Sequence, residues 1–159
     1  MATREDIFLA LFALTAGVTF DVNPSGTADI RGFNERSRTI KLFNDVAPAN
    51  QPWLGQAEHA ERSAQKSNLP YKRQWKAQWV VYHRAADSPG VDATTWNNQI
   101  IDALEAAIVP KSSDPGFLDG RNTLSGLVHH CYIDGEIFKD PGDIDKQAML
   151  VVPITILVP

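Results

Sequence analysis

Residues 131–159 read CYIDGEIFKDPGDIDKQAMLVVPITILVP, and the fold turns on how this stretch is placed. Two short β-rich runs flank Asp134-Gly135, a dipeptide that favours a type I′ hairpin turn. A polar loop over residues 139–146 follows, and from Gln147 onward no residue is charged. Val151, Val152, Ile154, Thr155, Ile156 and Val158 form a run too apolar and β-branched to be left in water, so it reads as a strand deep inside a sheet. Pro153 interrupts it and has no N–H for a ladder bond, which calls for a bulge or an edge-facing position there.

The partners of such a strand lie upstream. Residues 53–61 and 71–84 read as two strands joined by a polar tip over residues 62–70. In the second, Trp75, Ala77, Trp79, Val81 and His83 share one face, and Lys76, Gln78, Val80 and Tyr82 share the other. This period-two pattern is the clearest strand signal in the chain. Residues 39–43 alternate in the same way and read as a further strand, and residues 127–133 re-enter the sheet.

Two segments carry helical periodicity. Thr3 and Asp6 match a capping box, Glu5 and Asp6 suit the positive end of a helix dipole, and Ile7, Leu11 and Leu14 form a stripe widened by Phe8 and Phe12. The spacing predicts a helix over residues 4–16 with Gly17 as its stop. A second helix starts at Thr94 or Thr95, lines up Trp96, Ile100, Ile101, Leu104, Ala107 and Ile108 on one arc, and ends at Pro110. Residues 22–34 and 111–125 read as loops. The expected fold is α+β: one mixed or antiparallel sheet, two helices packed on it, and a long projecting β-hairpin, in a single domain over residues 1–159.

The 159 residues are enough for one sizeable core, and 43% hydrophobic with 21% charged residues is ordinary for a globular chain. A net charge of −4 argues against a free-standing nucleic-acid binder. The single cysteine rules out a disulfide within the chain. The apolar run over residues 7–18 sits behind Arg4, as in a signal peptide. It also follows Glu5 and Asp6, lacks a small-x-small cleavage site before Asp21, and is too short to span a bilayer, so a buried amphipathic helix is expected.

Candidate chemistry is sparse. His129 and Cys131 are two apart on a strand, and zinc accepts both residue types, yet a structural site needs four ligands and none follows at finger-like spacing. A Cys-His nucleophilic pair on one strand would hold its tips apart. Asp140, Asp143 and Asp145 around Gly142 lack the closing acid of an EF-hand loop and suit a turn instead. Lys66, Lys72, Arg73 and Lys76 interleave with Tyr71, Trp75 and Trp79, an arrangement compatible with single-strand binding. Because the aromatics fit the core side of the sheet, Lys66, Tyr71, Lys72 and Arg73 are expected to form a protein interface. No catalytic set, cofactor or metal site is expected, and the protein is not expected to be an enzyme.

Three quoted segments carry a resemblance. The order V-H-x-C-x-I-D-G-x-I, then G-D-I-D-x-Q-A, then V-V-P-I-T-I-L-V-P over residues 128–159 resembles the tail terminator (tail completion) proteins of long-tailed bacteriophages. The N-terminal helix, RTIKLFNDV at residues 38–46 and the proline-rich stretch 48–52 with Trp53-Leu54 follow the same order more loosely. The resemblance implies a virion protein at the head–tail interface, assembled in the host cytoplasm, forming a ring (typically of six copies) that stops tail-tube polymerisation. Its implied partners are other copies of itself, the tube protein and a head-completion or connector protein, with DNA only as passing cargo in the lumen and no membrane. The alternatives are a head-side connector or stopper, another minor tail protein, or a small metal-dependent or Cys/His hydrolase using His129, His130 and Cys131.

Overall fold

The structure is a computed structural model that describes residues 2–64 and 72–159. It opens with α1 (Arg4–Ala13), whose capping box is formed as the sequence predicts: the Asp6 N–H donates to Thr3 Oγ1 and the Thr3 N–H to Asp6 Oδ2. The helix ends three residues early because Leu14, Thr15 and Ala16 bond to carbonyls three residues back, tightening the last turn before Gly17 at φ +69°. Ile7, Phe8 and Leu11 are its buried residues.

Residues 22–34, expected to be loop, contain half of a two-stranded antiparallel ribbon: β1 (Thr19–Asp21) with β2 (Ile30–Gly32). Aspartate chemistry closes it, since Asp21 Oδ1 accepts the N–H groups of both Asn23 and Asp29. Phe20 is buried from the ribbon against Phe33 and Trp96.

Among the described residues the main sheet has six strands: β3 (Glu35–Ser37), β4 (Trp53–Ala64), β5 (Lys72–His83), β6 (His130–Ile133), β7 (Phe138–Asp140) and β8 (Ala148–Val158), in spatial order β3-β4-β5-β8-β6 with β7 also on β8. Only β3 runs parallel to its neighbour, so the sheet is mixed. β8 sits between β5 on one side and β6 with β7 on the other, the interior position its apolar run demands.

Three expectations need correction. Residues 39–43 are not a strand. Glu35–Ser37 takes the edge seat beside Trp53–Gly55, and the chain then turns so that Phe43 and Val46 pack onto the sheet instead of pairing. Asp134-Gly135 is not a hairpin turn either: β6 and β7 do not pair with each other but lie in line along the same edge of β8. The cause is Pro153. Its carbonyl accepts the Asp134 N–H, so its nitrogen faces the same edge and offers no donor there. The ladder opens opposite it, with Gly135 at φ +112° over the proline ring. Finally, the described arms of the hairpin do not project. β4 and β5 pair over their lengths with a bulge between Glu58 and Ala60, but β8 flanks β5 from Arg73 to His83.

The helices cover one face. α2 (Ala93–Ile108) is capped by Asp92 and buries Ile100, Ile101, Leu104 and Ile108 in one core with Trp75, Ala77, Trp79 and Val81 of β5 and Leu150, Val152, Ile154 and Ile156 of β8. His83 ends this row fully buried, with its Nε2–H on Asn97 Oδ1 at 2.6 Å and its ring stacked on Trp96; burial holds the imidazole pKa down and the ring neutral. The second face has a smaller cluster of Phe43, Val46, Trp53, Val80 and Tyr82, with Trp53 and Tyr82 stacked at 5.1 Å. Gly55 leaves room for that indole, since a Cβ there would lie 2.3 Å from Trp53 Cη2. Among the described residues no helix is long and apolar enough to cross a membrane.

Candidate interaction surface

The three residues with the sharpest chemical potential are separated by the sheet. Cys131 points into the helix-side core, where burial pushes its thiol up to about 12. His130 projects to the other face, stacks on Tyr132 and accepts the Asn122 N–H at Nδ1. His129 is exposed beside the strand, its Nδ1 accepting from Arg121. The sequence pattern puts His129 and Cys131 on one side of a strand. The structure leaves one in water and the other in the core, because the strand pairs regularly only from His130. No group of three or more His, Cys, Asp or Glu side chains among the described residues is placed to hold a metal ion. The expected result is a thiol that ignores a disulfide reagent such as Ellman's in native buffer and reacts stoichiometrically once denatured. Fast labelling of the folded protein would show an open path to Cys131.

The aspartates of the 139–146 loop do turn chemistry. Asp140 Oδ1 accepts from the Gly142 N–H and Asp145 Oδ1 from the Gln147 N–H. A similar role, unnoticed in the sequence, falls to Asp114, whose carboxylate gathers the N–H groups of Gly116, Thr123 and Ser125 together with the Thr123 hydroxyl. That one side chain organises the long loop after α2.

Of the four expected interface residues, Lys66 and Tyr71 lie outside the described residues. Lys72 is exposed opposite Ala64, and Arg73 lies beside Val158 with its guanidinium 5.5 Å from the centre of the Trp75 ring. Arg4 approaches the same ring at 5.4 Å while pairing with Glu61. Trp75 itself is core, stacked on Phe8. The aromatic residues the sequence interleaves with bases therefore divide, with Trp75 and Trp79 inside the protein and not available as stacking platforms for bases.

Lys76 belongs to a different group. Its ammonium donates to Asp134 Oδ2 at 2.9 Å and to Thr155 Oγ1, and the Thr155 hydroxyl donates in turn to Asp134. Lys76 and Thr155 together hold the Asp134 carboxyl below its ordinary range. The set looks like a hydroxyl beside a lysine base, but the Thr155 hydroxyl hydrogen and two of the three ammonium hydrogens are already directed at a carboxylate or hydroxyl, and Thr155 is fully buried. It reads as a polar clasp across β5, β8 and the β6–β7 break. Its members are 58 and 21 residues apart along the chain, and no local signal joins them.

Around this clasp the second sheet face is only partly covered. Leu157, Pro153, Val151 and Met149 of β8 and Tyr132 of β6 are half-buried, and Phe138 of β7 is exposed. Beyond Gly55 the outer edge of β4 has no strand partner among the described residues. Charges and a bulge blunt it, with Glu58 and Glu61 held by Arg38 and Arg4. A mixed apolar and charged face of this kind suits contact with protein. No known protein family matches the chain, and comparison with curated proteins gives no match either.

Proposed function

We propose that this chain is a structural virion protein that forms a ring, caps the tail tube of a long-tailed phage and offers a surface for head attachment. The observation that carries the reading is the pattern over residues 128–159, which resembles tail terminators and which here builds β6, β7 and β8. The half-covered second face of the sheet supports it, since a ring subunit needs protein-contact surface beyond its own core. The net charge of −4 also suits a conduit, because DNA moving through a non-basic lumen is not retained by phosphate contacts. A polymer cap works by presenting the contacts of the next tube layer on one side and none on the other.

Electron microscopy of particles made without this gene tests the proposal. The expected result is overlong or unjoined tails beside DNA-filled heads. Tails of normal length, correctly joined to heads, would overturn it. Charge reversal at Lys66, Lys72 and Arg73 is expected to give a partial form of the same defect.

A further inference from the structure

His83 ends the buried row of β5 with 0% of its surface exposed, and both of its ring nitrogens are committed. Nδ1 accepts the Ala85 N–H at 3.3 Å. A backbone N–H can only donate, so the ring proton sits on Nε2 and goes to Asn97 Oδ1 at 2.6 Å. The two partners stand at either end of the connection between β5 and α2, residues 84–92. Ala85 opens its short first turn, Ala85–Asp87, and Asn97 lies just past the first turn of the helix that follows. One imidazole thus fastens both ends.

The rest of the connection is held by itself. Its backbone N–H bonds run from Asp87 to Arg84, from Ser88 to Ala85 and from Val91 to Ser88, all inside the segment. Residues 87–92 are exposed, and Ala85 is its one buried residue. The charged and titratable groups around the imidazole are engaged with other partners. Arg84 donates to Asp87, Asp92 accepts from Thr94 and Thr95, and the Tyr82 hydroxyl donates to the Lys41 carbonyl. Beyond the stacked Trp96 ring, Arg31 is paired with Asp29. β8 puts Ala148 opposite His83, and the loop before it brings Asp143 and Lys146 to the connection, in a pocket with Asp87 and Asp92. Both partners of the ring are neutral, and none of these carboxylates bonds to it.

We propose that His83 is an acid-sensitive latch: proton uptake at Nδ1 releases the Ala85–Asp87 turn from the end of β5 while α2 stays in place. With Nδ1 protonated, its new N–H faces the Ala85 N–H, donor against donor, and a charge sits against Trp96 and Ala148 with no counter-charge bonded to it. The Nε2–H bond to Asn97 survives, because that hydrogen is present in both protonation states. The conflict therefore falls on one side only. Opening toward Ala85 gives the imidazolium access to water, and residues 84–92 detach with the turn. Burial holds the folded His83 pKa below its ordinary value of about 6.5. The stabilisation from the neutral ring is complete above about pH 6.5 and is lost as pH falls through the lower folded value. Arg84, Ser88, Gly90 and Val91 of the connection also wall a cleft of about 690 Å³ against the β1–β2 ribbon, so release reshapes that surface.

Amide hydrogen exchange on the whole protein, read as protection factors from about pH 7.5 down to about pH 5, tests the latch. Protection of the Ala85, Asp87 and Ser88 amides is expected to fall about tenfold per pH unit below about pH 6.5, because each opening takes up one proton. The amides of Ile100, Ile101 and Leu104 in α2 are expected to keep theirs. His83→Gln puts an amide that does not titrate at the same place, so it should abolish the pH dependence; if that variant does not fold, the wild-type profile decides. Protection at Ala85, Asp87 and Ser88 that stays flat across the range, or α2 amides that lose theirs in step, would overturn the latch. So would a folded His83→Gln protein with the wild-type pH profile.

Discussion

Deletion of residues 154–159 is expected to abolish cooperative folding. The lost segment is half of β8, and β8 is bordered on both sides: Arg73–Ala77 pair with it from β5, and His130–Ile133 from β6. Ile154 and Ile156 are fully buried and Val158 nearly so, all within the helix-side core. Each such side chain contributes about 1.5–3 kcal/mol on burial, against a total stability of about 5–15 kcal/mol for a domain of this kind. The deletion also strips β6 of its neighbour and takes the hydroxyl of Thr155 out of the Lys76–Asp134 clasp. Far-ultraviolet circular dichroism with thermal melting, and the soluble yield, check the outcome. A truncated protein that stays soluble and melts cooperatively near the wild-type temperature would show that the strand end is peripheral. The smaller change Ile154→Ala should lower stability by about 2–5 kcal/mol without loss of the fold.

What the sequence revealed and what it hid follow one physical division. Trp75, Ala77, Trp79, Val81 and His83 alternate because a central strand under two helices needs one unbroken buried row, and that demand is written locally. The same holds for β8, where the residues of the row under the helices are large and apolar, and for α2, whose buried arc repeats at helical spacing. Asp134-Gly135 shows the opposite case. The dipeptide has genuine turn character, but whether it closes a hairpin depends on the residue across the ladder, and that residue is Pro153, a position no local window around Gly135 includes. Residues 39–43 alternate through Ile40 and Leu42, yet both are left exposed, and it is Phe43, on the opposite phase, that a single turn buries on the sheet. The clasp of Lys76, Asp134 and Thr155 joins residues from distant parts of the chain. Surface chemistry assembled by topology has no periodicity to betray it.

Trp79→Ala should be the most damaging single substitution in the helix-side core, costing about 3–5 kcal/mol. The indole is fully buried and does two jobs at once. Its ring fills the space under α1 and α2, and its Nε1–H donates to Gln56 Oε1 at 3.2 Å. Gln56, itself buried, passes the connection on through Nε2 to the Phe8 carbonyl of α1 at 2.9 Å. The pair thereby ties α1 to the two central arms of the sheet through polar contacts placed inside an apolar core, where an unmet donor costs about 1–3 kcal/mol. Volume and hydrogen bonding can be separated. Trp79→Phe removes the donor and part of the volume, Gln56→Leu removes the acceptor and strands the indole, and the double variant removes the polar pair as a unit. Urea unfolding of the four proteins should give a double variant more stable than the sum of the single costs predicts, with a coupling of about 0.5–3 kcal/mol. Strictly additive costs would mean that the ring's packing alone holds α1 in place and that the Gln56 link contributes nothing to it.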